Sequence, residues 1–127
     1  MRMMKKLILL IWVLLWSCSQ QPVGEDWHEF YEKFHSDSLF QVSRISDNFE
    51  GVKFYGDTVE NITKSNWRFI RSGVYDVDTS QYKTEVNISD DKVETRIYVE
   101  NSGIDIKLTY EKINNKWYLV RFIDNFN

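Results

Sequence analysis

The stretch "YKTEVNISDDKVETRIYVENSGIDIKLTYEKINNKWYLVRFI", residues 82–123, changes character at every second residue, and that period decides the fold. Tyr82, Thr84, Val86 and Ile88 alternate with polar neighbours, as do Val93, Thr95, Ile97 and Val99, and again Ile104, Ile106, Leu108 and Tyr110. A strand turns successive side chains to opposite faces, so each set forms one buried side of a strand. The separators "SDD" (89–91), "NSG" (101–103) and "NNK" (114–116) are short and rich in turn formers. They predict four strands joined as an antiparallel meander. The last, "WYLVRFI" at 117–123, is apolar on both faces, which suits a strand that is covered on both sides or borders a pocket.

Toward the N-terminus the period lengthens. Trp27, Phe30, Tyr31 and Phe34 fall at i, i+3, i+4 and i+7, an aromatic stripe on one helix, with Glu25 and Asp26 where negative charge suits the dipole. Ser36 or Asp37 can cap a second short helix carrying Leu39, Phe40, Val42 and Ile45. Gly51 and Gly56 mark turns around a short strand at Val52 to Tyr55, and Thr63 can cap a third helix, "KSNWRFIR", with Trp67 and Ile70 on one side. Helices first and an antiparallel sheet afterwards predict an α+β domain: N-terminal helices packed on one face of a twisted sheet of about four strands.

The chain has 127 residues, enough for one core, with 43% apolar and 16% aromatic residues. Its formal charge is −3, but Arg2, Lys5 and Lys6 precede Cys18 and no acid does, so residues 18–127 set 13 cations against 19 acids, a net of −6. Such a surface disfavours nucleic acid and anionic lipid.

The first 17 residues read as a leader: a cationic Met1 to Lys6, ten apolar residues from Leu7 to Trp16, and Ser17 before the only cysteine. The run is half of the roughly 20 residues that a membrane span needs. "LWSC" at 15–18 resembles the lipobox of bacterial lipoproteins. That resemblance implies cleavage before Cys18, a diacylglycerol on its sulfur and an acylated amino group, hence a membrane-anchored protein of the cell envelope. With that thiol blocked the mature chain has no cysteine for a disulfide. Ser19, in place of the aspartate linked to inner-membrane retention, favours the outer membrane, and the absence of an acidic cluster from Ser19 to Gly24 favours its periplasmic side. Residues 18–25 then form the lipidated N-terminus and spacer, and 26–127 the domain.

The order of elements resembles the cystatin-like cone of the nuclear transport factor 2-like superfamily. "FYEKFHSDSLFQVSRI" at 30–45, Trp67 in "ITKSNWRF" and "KWYLVRFID" at 116–124 resemble, more narrowly, an uncharacterised domain family of Bacteroidetes lipoproteins assigned to that fold. The matching positions are mainly core positions, so they speak for fold and hardly for activity.

Four constellations bear on chemistry. His28, Glu32 and His35 share a helical spacing, and "HEFYE" is the zinc-protease pattern with its second histidine replaced, so the reading is a wet helix face and no metal site. Asp76, Asp78 and Ser80 begin like a calcium loop, but Gln81 and Asn87 stand where glycine and glutamate are needed, and Asp90 and Asp91 suit a hairpin turn. The sequons at Asn61 and Asn87 are coincidental in a bacterial envelope protein. Ser38 and Thr58 follow aspartate and precede an apolar residue, resembling the O-glycosylation acceptor of Bacteroidetes envelope proteins; Thr58 is expected in a loop.

A cavity between helix and sheet could bind a small ligand, with Trp27, Tyr31, Trp67, Tyr82 and Tyr110 as the expected lining. No Asp, Glu or His appears among the inward residues of the alternating strands, so acid–base catalysis, as in the superfamily's isomerases and dehydratases, is the alternative, left to Asp37, Asp76 and His28. The expected function is an envelope-tethered binding module for a small molecule or an envelope protein, without a cofactor; a structural role in an envelope complex is the third option.

Overall fold

In the computed structural model, which describes residues 24–126, Asp26 caps α1 (Trp27–Phe34) by accepting the Glu29 N–H at 3.0 Å. Asp37 caps α2 (Ser38–Ser43) through the Phe40 N–H, also at 3.0 Å. Each cap satisfies an N–H that the first helical turn leaves unpaired. Six strands follow: β1 (Ile45–Tyr55), β2 (Thr58–Ile62), β3 (Lys83–Ile88), β4 (Lys92–Tyr98), β5 (Ile104–Ile113) and β6 (Lys116–Phe126). They form one mixed sheet in the order β2-β1-β6-β5-β4-β3.

The meander from β3 to β6 forms where the alternation places it, pairing antiparallel throughout. The expectation of about four strands misses β1 and β2. β1 extends from Ile45 to Tyr55, well beyond the Val52–Tyr55 strand expected, and lies parallel to β6, and the turn at Gly56, with φ +53°, returns the chain antiparallel as β2. Ile45, assigned above to the second helix, instead opens β1 opposite Leu119, where the Arg44 carbonyl accepts the Leu119 N–H at 2.8 Å. Leu39, named above among the apolar residues of that helix, is 84% exposed; the buried residue of α2 is Gln41.

The core sits between α1 and one face of the sheet. Trp27, Phe30, Tyr31 and Phe34 are all buried, against Val93, Leu108, Tyr110, Trp117, Leu119 and Phe122. Trp27 meets Tyr110 and Trp117 edge-on, at centroid distances of 5.0 and 5.2 Å. Burying each such ring contributes about 1.5–3 kcal/mol, and edge-to-face pairing adds somewhat more.

Glu25 locks the start of the domain to β6. Its carboxylate accepts from both terminal guanidinium nitrogens of Arg44, at 2.6 and 2.8 Å, and from the Trp117 N–H at 3.0 Å, while its carbonyl accepts from Trp117 Nε1. The leader, Cys18 and the rest of the spacer lie outside the described residues. Among the described residues no helix is long and apolar enough to cross a membrane.

Candidate functional site

The third helix expected over 64–71 does not form. Residues 63–73 run as a turn and then an irregular strap, because side chains take the backbone groups that a helix would use. The Thr63 N–H donates to Asn66 Oδ1, and Asn66 Nδ2 to the Asn61 carbonyl. Gln41, wholly buried beneath the strap, takes both backbone groups of Ile70. Its Oε1 accepts Trp67 Nε1 at 2.8 Å and the Ile70 N–H at 2.9 Å; its Nε2 donates to the carbonyls of Phe34 and Ile70 at 2.8 and 3.0 Å. The strap is thus bolted to α2, and Trp67 lies edge-on to Phe122 and Phe49 at 5.3 and 5.7 Å.

Farther along, Tyr31 Oη accepts the buried Val74 N–H at 2.6 Å. Gly73 permits this approach, since a Cβ there would collide with the Tyr31 hydroxyl and ring. Burial, with the nearby Tyr75 and Asp76 adding to it, pushes the Tyr31 hydroxyl pKa up despite the Val74 bond.

Between strap and sheet lies a cavity of about 420 Å³, within the range of small-molecule sites. Trp67, Ile70, Ile97, Ile106, Leu108 and Phe122 supply its apolar wall. Polar groups come from Lys53, Glu60, Arg68, Asp124 and His35. Lys53 Nζ stands 3.7 Å from Asp124 Oδ2 and 4.7 Å from the Tyr55 ring centroid. Tyr55 first, then Asp124, hold the ammonium in its charged form against a small cost of burial, so its pKa rises. Asp124 Oδ1 is buried without a protein partner, as is His35 Nε2. Burial lowers the His35 pKa, only partly offset by the Ile70 carbonyl at 2.9 Å from Nδ1 and by Asp76.

Of the aromatics expected to line a cavity, Tyr31 and Trp67 do so. Trp27 and Tyr110 are instead packed solidly into the core, where α1 and the sheet leave no gap, and Tyr82 is half-buried just before β3, away from the cavity. The Tyr110 hydroxyl is fully buried without a partner, and burial pushes its pKa well up. Asp124 escaped the count of inward strand residues because it lies past "WYLVRFI", although alternation from Phe122 reaches it. Lys53 and Gln41 carried no sequence signal of their own.

The other candidates are spread out. His28 and Glu32 are exposed and share with His35, Arg71, Tyr75 and Asp76 a second hollow of about 390 Å³. Among the described residues no group of three or more His, Cys, Asp or Glu is placed to hold a metal ion. Asp76 accepts the Gly73 N–H, and Asp78 accepts the Ser80 N–H and hydroxyl. Asp37 caps α2, and Asp90 and Asp91 lie in the β3–β4 turn. Ser38 opens α2, and Thr58 opens β2 where a loop was expected; both are exposed.

Residues 25–127 match a protein-family model. An NTF2-like protein from Bacteroides fragilis superposes with a TM-score of 0.58 at 18% identity, over 85% of this chain and 50% of that one. The chain therefore spans half the length of that protein. A protein from Bacteroides uniformis, solved by NMR, gives 0.57 at 20% identity over 84% and 82% of the two chains. A cystatin-like protein from Bacteroides caccae gives 0.51 at 21% over 83% and 78%. At these identities the likeness is one of fold. A search of the curated proteins finds no match.

Proposed function

Because the chain belongs to the uncharacterised domain family that matches residues 25–127, one of nuclear transport factor 2-like and cystatin-like fold, we propose that its domain is a small-molecule binding module. The observation that carries this reading is the cavity itself: an apolar wall of ligand-sized volume under a strap that Gln41 holds in place. A preformed site spares a ligand the cost of ordering the protein. The module is tethered to the envelope through a lipidated Cys18, most simply at the periplasmic face of the outer membrane, and no cofactor or nucleic acid enters its work. Support comes from the leader, Ser17 and Ser19, and the acidic balance of the mature chain.

The test is purification of the full chain from detergent-solubilised envelope, followed by mass analysis of bound small molecules, for the wild type and for Ile106→Trp, which fills the cavity. A species retained by the wild type and absent from the variant supports the reading. Identical small-molecule content refutes it, and a stoichiometric protein found with both forms would favour the partner-docking reading.

One observation favours acid–base chemistry as a second reading. Asp124 and His35, two groups able to move protons, border the same cavity, whereas the sequence placed none there. Loss of turnover in Asp124→Asn with ligand binding retained would establish it.

A further inference from the structure

Which molecule the cavity prefers can be argued from the polar groups that the protein leaves unmatched. Four donors of the strap are already taken: Trp67 Nε1 and the Ile70 N–H on Gln41, Asn66 Nδ2 on Asn61, the Gly73 N–H on Asp76. Among the described residues, two buried atoms of cavity-bordering side chains have no partner, and both are acceptors. His35 is only 8% exposed, and its Nδ1 lies 2.9 Å from the Ile70 carbonyl. A carbonyl can only accept, so Nδ1 carries the hydrogen and Nε2 presents a lone pair. Asp124 turns Oδ2 toward Lys53 and leaves Oδ1 buried and unmatched. Native proteins pair nearly all such buried groups, and a group left unpaired costs more than an ordinary hydrogen bond contributes.

The charges around the cavity cancel formally. Lys53 and Arg68 stand against Glu60 and Asp124, and among the described residues no other Asp, Glu, Lys or Arg lines it. An ionic ligand therefore gains no net attraction, and either sign meets a like charge. Resting on the cavity reading above, we propose that the ligand is a neutral, largely apolar molecule bearing hydroxyl or N–H donors, taken up by His35 Nε2 and Asp124 Oδ1. The same skeleton with its donors capped by methyl groups is rejected, because it leaves both acceptors buried and unpaired.

The experiment is isothermal titration of the detergent-solubilised full chain with matched probes: 1,4-cyclohexanedimethanol beside its bis(methyl ether), and 4-hydroxybenzyl alcohol beside 4-methoxybenzyl methyl ether. 4-Hydroxybenzylamine and 4-hydroxybenzoate serve as the cationic and anionic arms. The diols are expected to bind at least about tenfold more tightly than their ethers, and more tightly than either ion. His35→Phe and Asp124→Leu should each shrink the diol-to-ether ratio about threefold or more. The wild-type ratio decides the matter even where a variant fails to fold. Ethers binding as well as diols overturn the donor requirement while leaving the cavity reading intact. An ion binding best overturns neutrality, and a full set of probes that fails at millimolar concentration overturns the cavity reading and this inference together.

Discussion

Gln41 Oε1 sits 2.8 Å from Trp67 Nε1, and this contact between α2 and the strap fixes the roof of the cavity. The same oxygen accepts the Ile70 N–H, so one buried amide replaces the turn of helix that residues 64–71 would otherwise form.

Gln41→Leu keeps the side-chain volume and removes four hydrogen bonds, leaving the Trp67 indole, Ile70 and Phe34 groups unmatched. At about 1 kcal/mol net per bond, with buried groups left unpaired, the expected loss is ~3 kcal/mol or more in urea unfolding. A loss below about 1 kcal/mol would show that the strap is held by apolar packing alone.

Tyr31→Phe leaves the Val74 N–H buried without an acceptor, at an expected cost of about 1–2 kcal/mol. Gly73→Ala should cost more than that, because the added methyl meets both the hydroxyl and the ring of Tyr31, which is wedged in the core. Thermal melts of the two variants give the order directly.

Burial pushes the Glu25 pKa up, but the Arg44 hydrogen bonds, the Trp117 N–H and the charges of Arg44 and Lys116 outweigh it, so the folded value lies below 4.5. A carboxyl depressed on folding stabilises above its unfolded pKa, and that stabilisation fades as pH falls through the folded pKa. Glu25→Gln should therefore be less stable than the wild type at neutral pH, by about 1 kcal/mol for a partly exposed pair. The gap should close below pH 4.5. Chemical denaturation at neutral pH and at pH 3 checks this, and an unchanged gap would contradict it.

Burial depresses the His35 pKa below the usual 6.5, so the folded state favours the neutral ring. Its contribution is fully present above pH 6.5 and declines as pH falls through the lowered value, because the unfolded chain takes up the proton first. His35→Phe should flatten the stability profile in that window. Imidazole proton shifts followed by NMR should show His35 titrating below 6.5.

Cys18→Ala should leave the leader uncleaved and the chain without acyl mass. The wild-type chain, weighed intact from cells, should lack residues 1–17 and carry acyl mass on Cys18. A bare thiol would end the tether reading without touching the cavity.

Much of the fold was legible because the signals were local. Trp27, Phe30, Tyr31 and Phe34 announce α1 by spacing, and the residues from Tyr82 to Tyr110 announce three strands by alternation. Ile45 misled for the same reason: helical spacing continues past Ser43, but the Leu119 N–H, 75 residues beyond Arg44, bonds to the Arg44 carbonyl where the chain turns into β1. The site was less legible. Trp67 and Tyr31 stood out as large aromatics, whereas Gln41, Lys53 and Asp124 look like surface residues until their partners are known.

The sequence by itself determined α1, the meander and which aromatic stripe is buried, since side-chain direction along a regular element follows from its period. Tertiary structure alone decided that β1 lies parallel to β6, that the segment around Trp67 is a strap, and that Asp124 and His35 border one cavity. Those outcomes rest on pairings between segments as many as 74 residues apart. Such pairings are selected by the backbone and buried polar groups left to satisfy once the local elements have packed, and they leave no periodic trace in the chain.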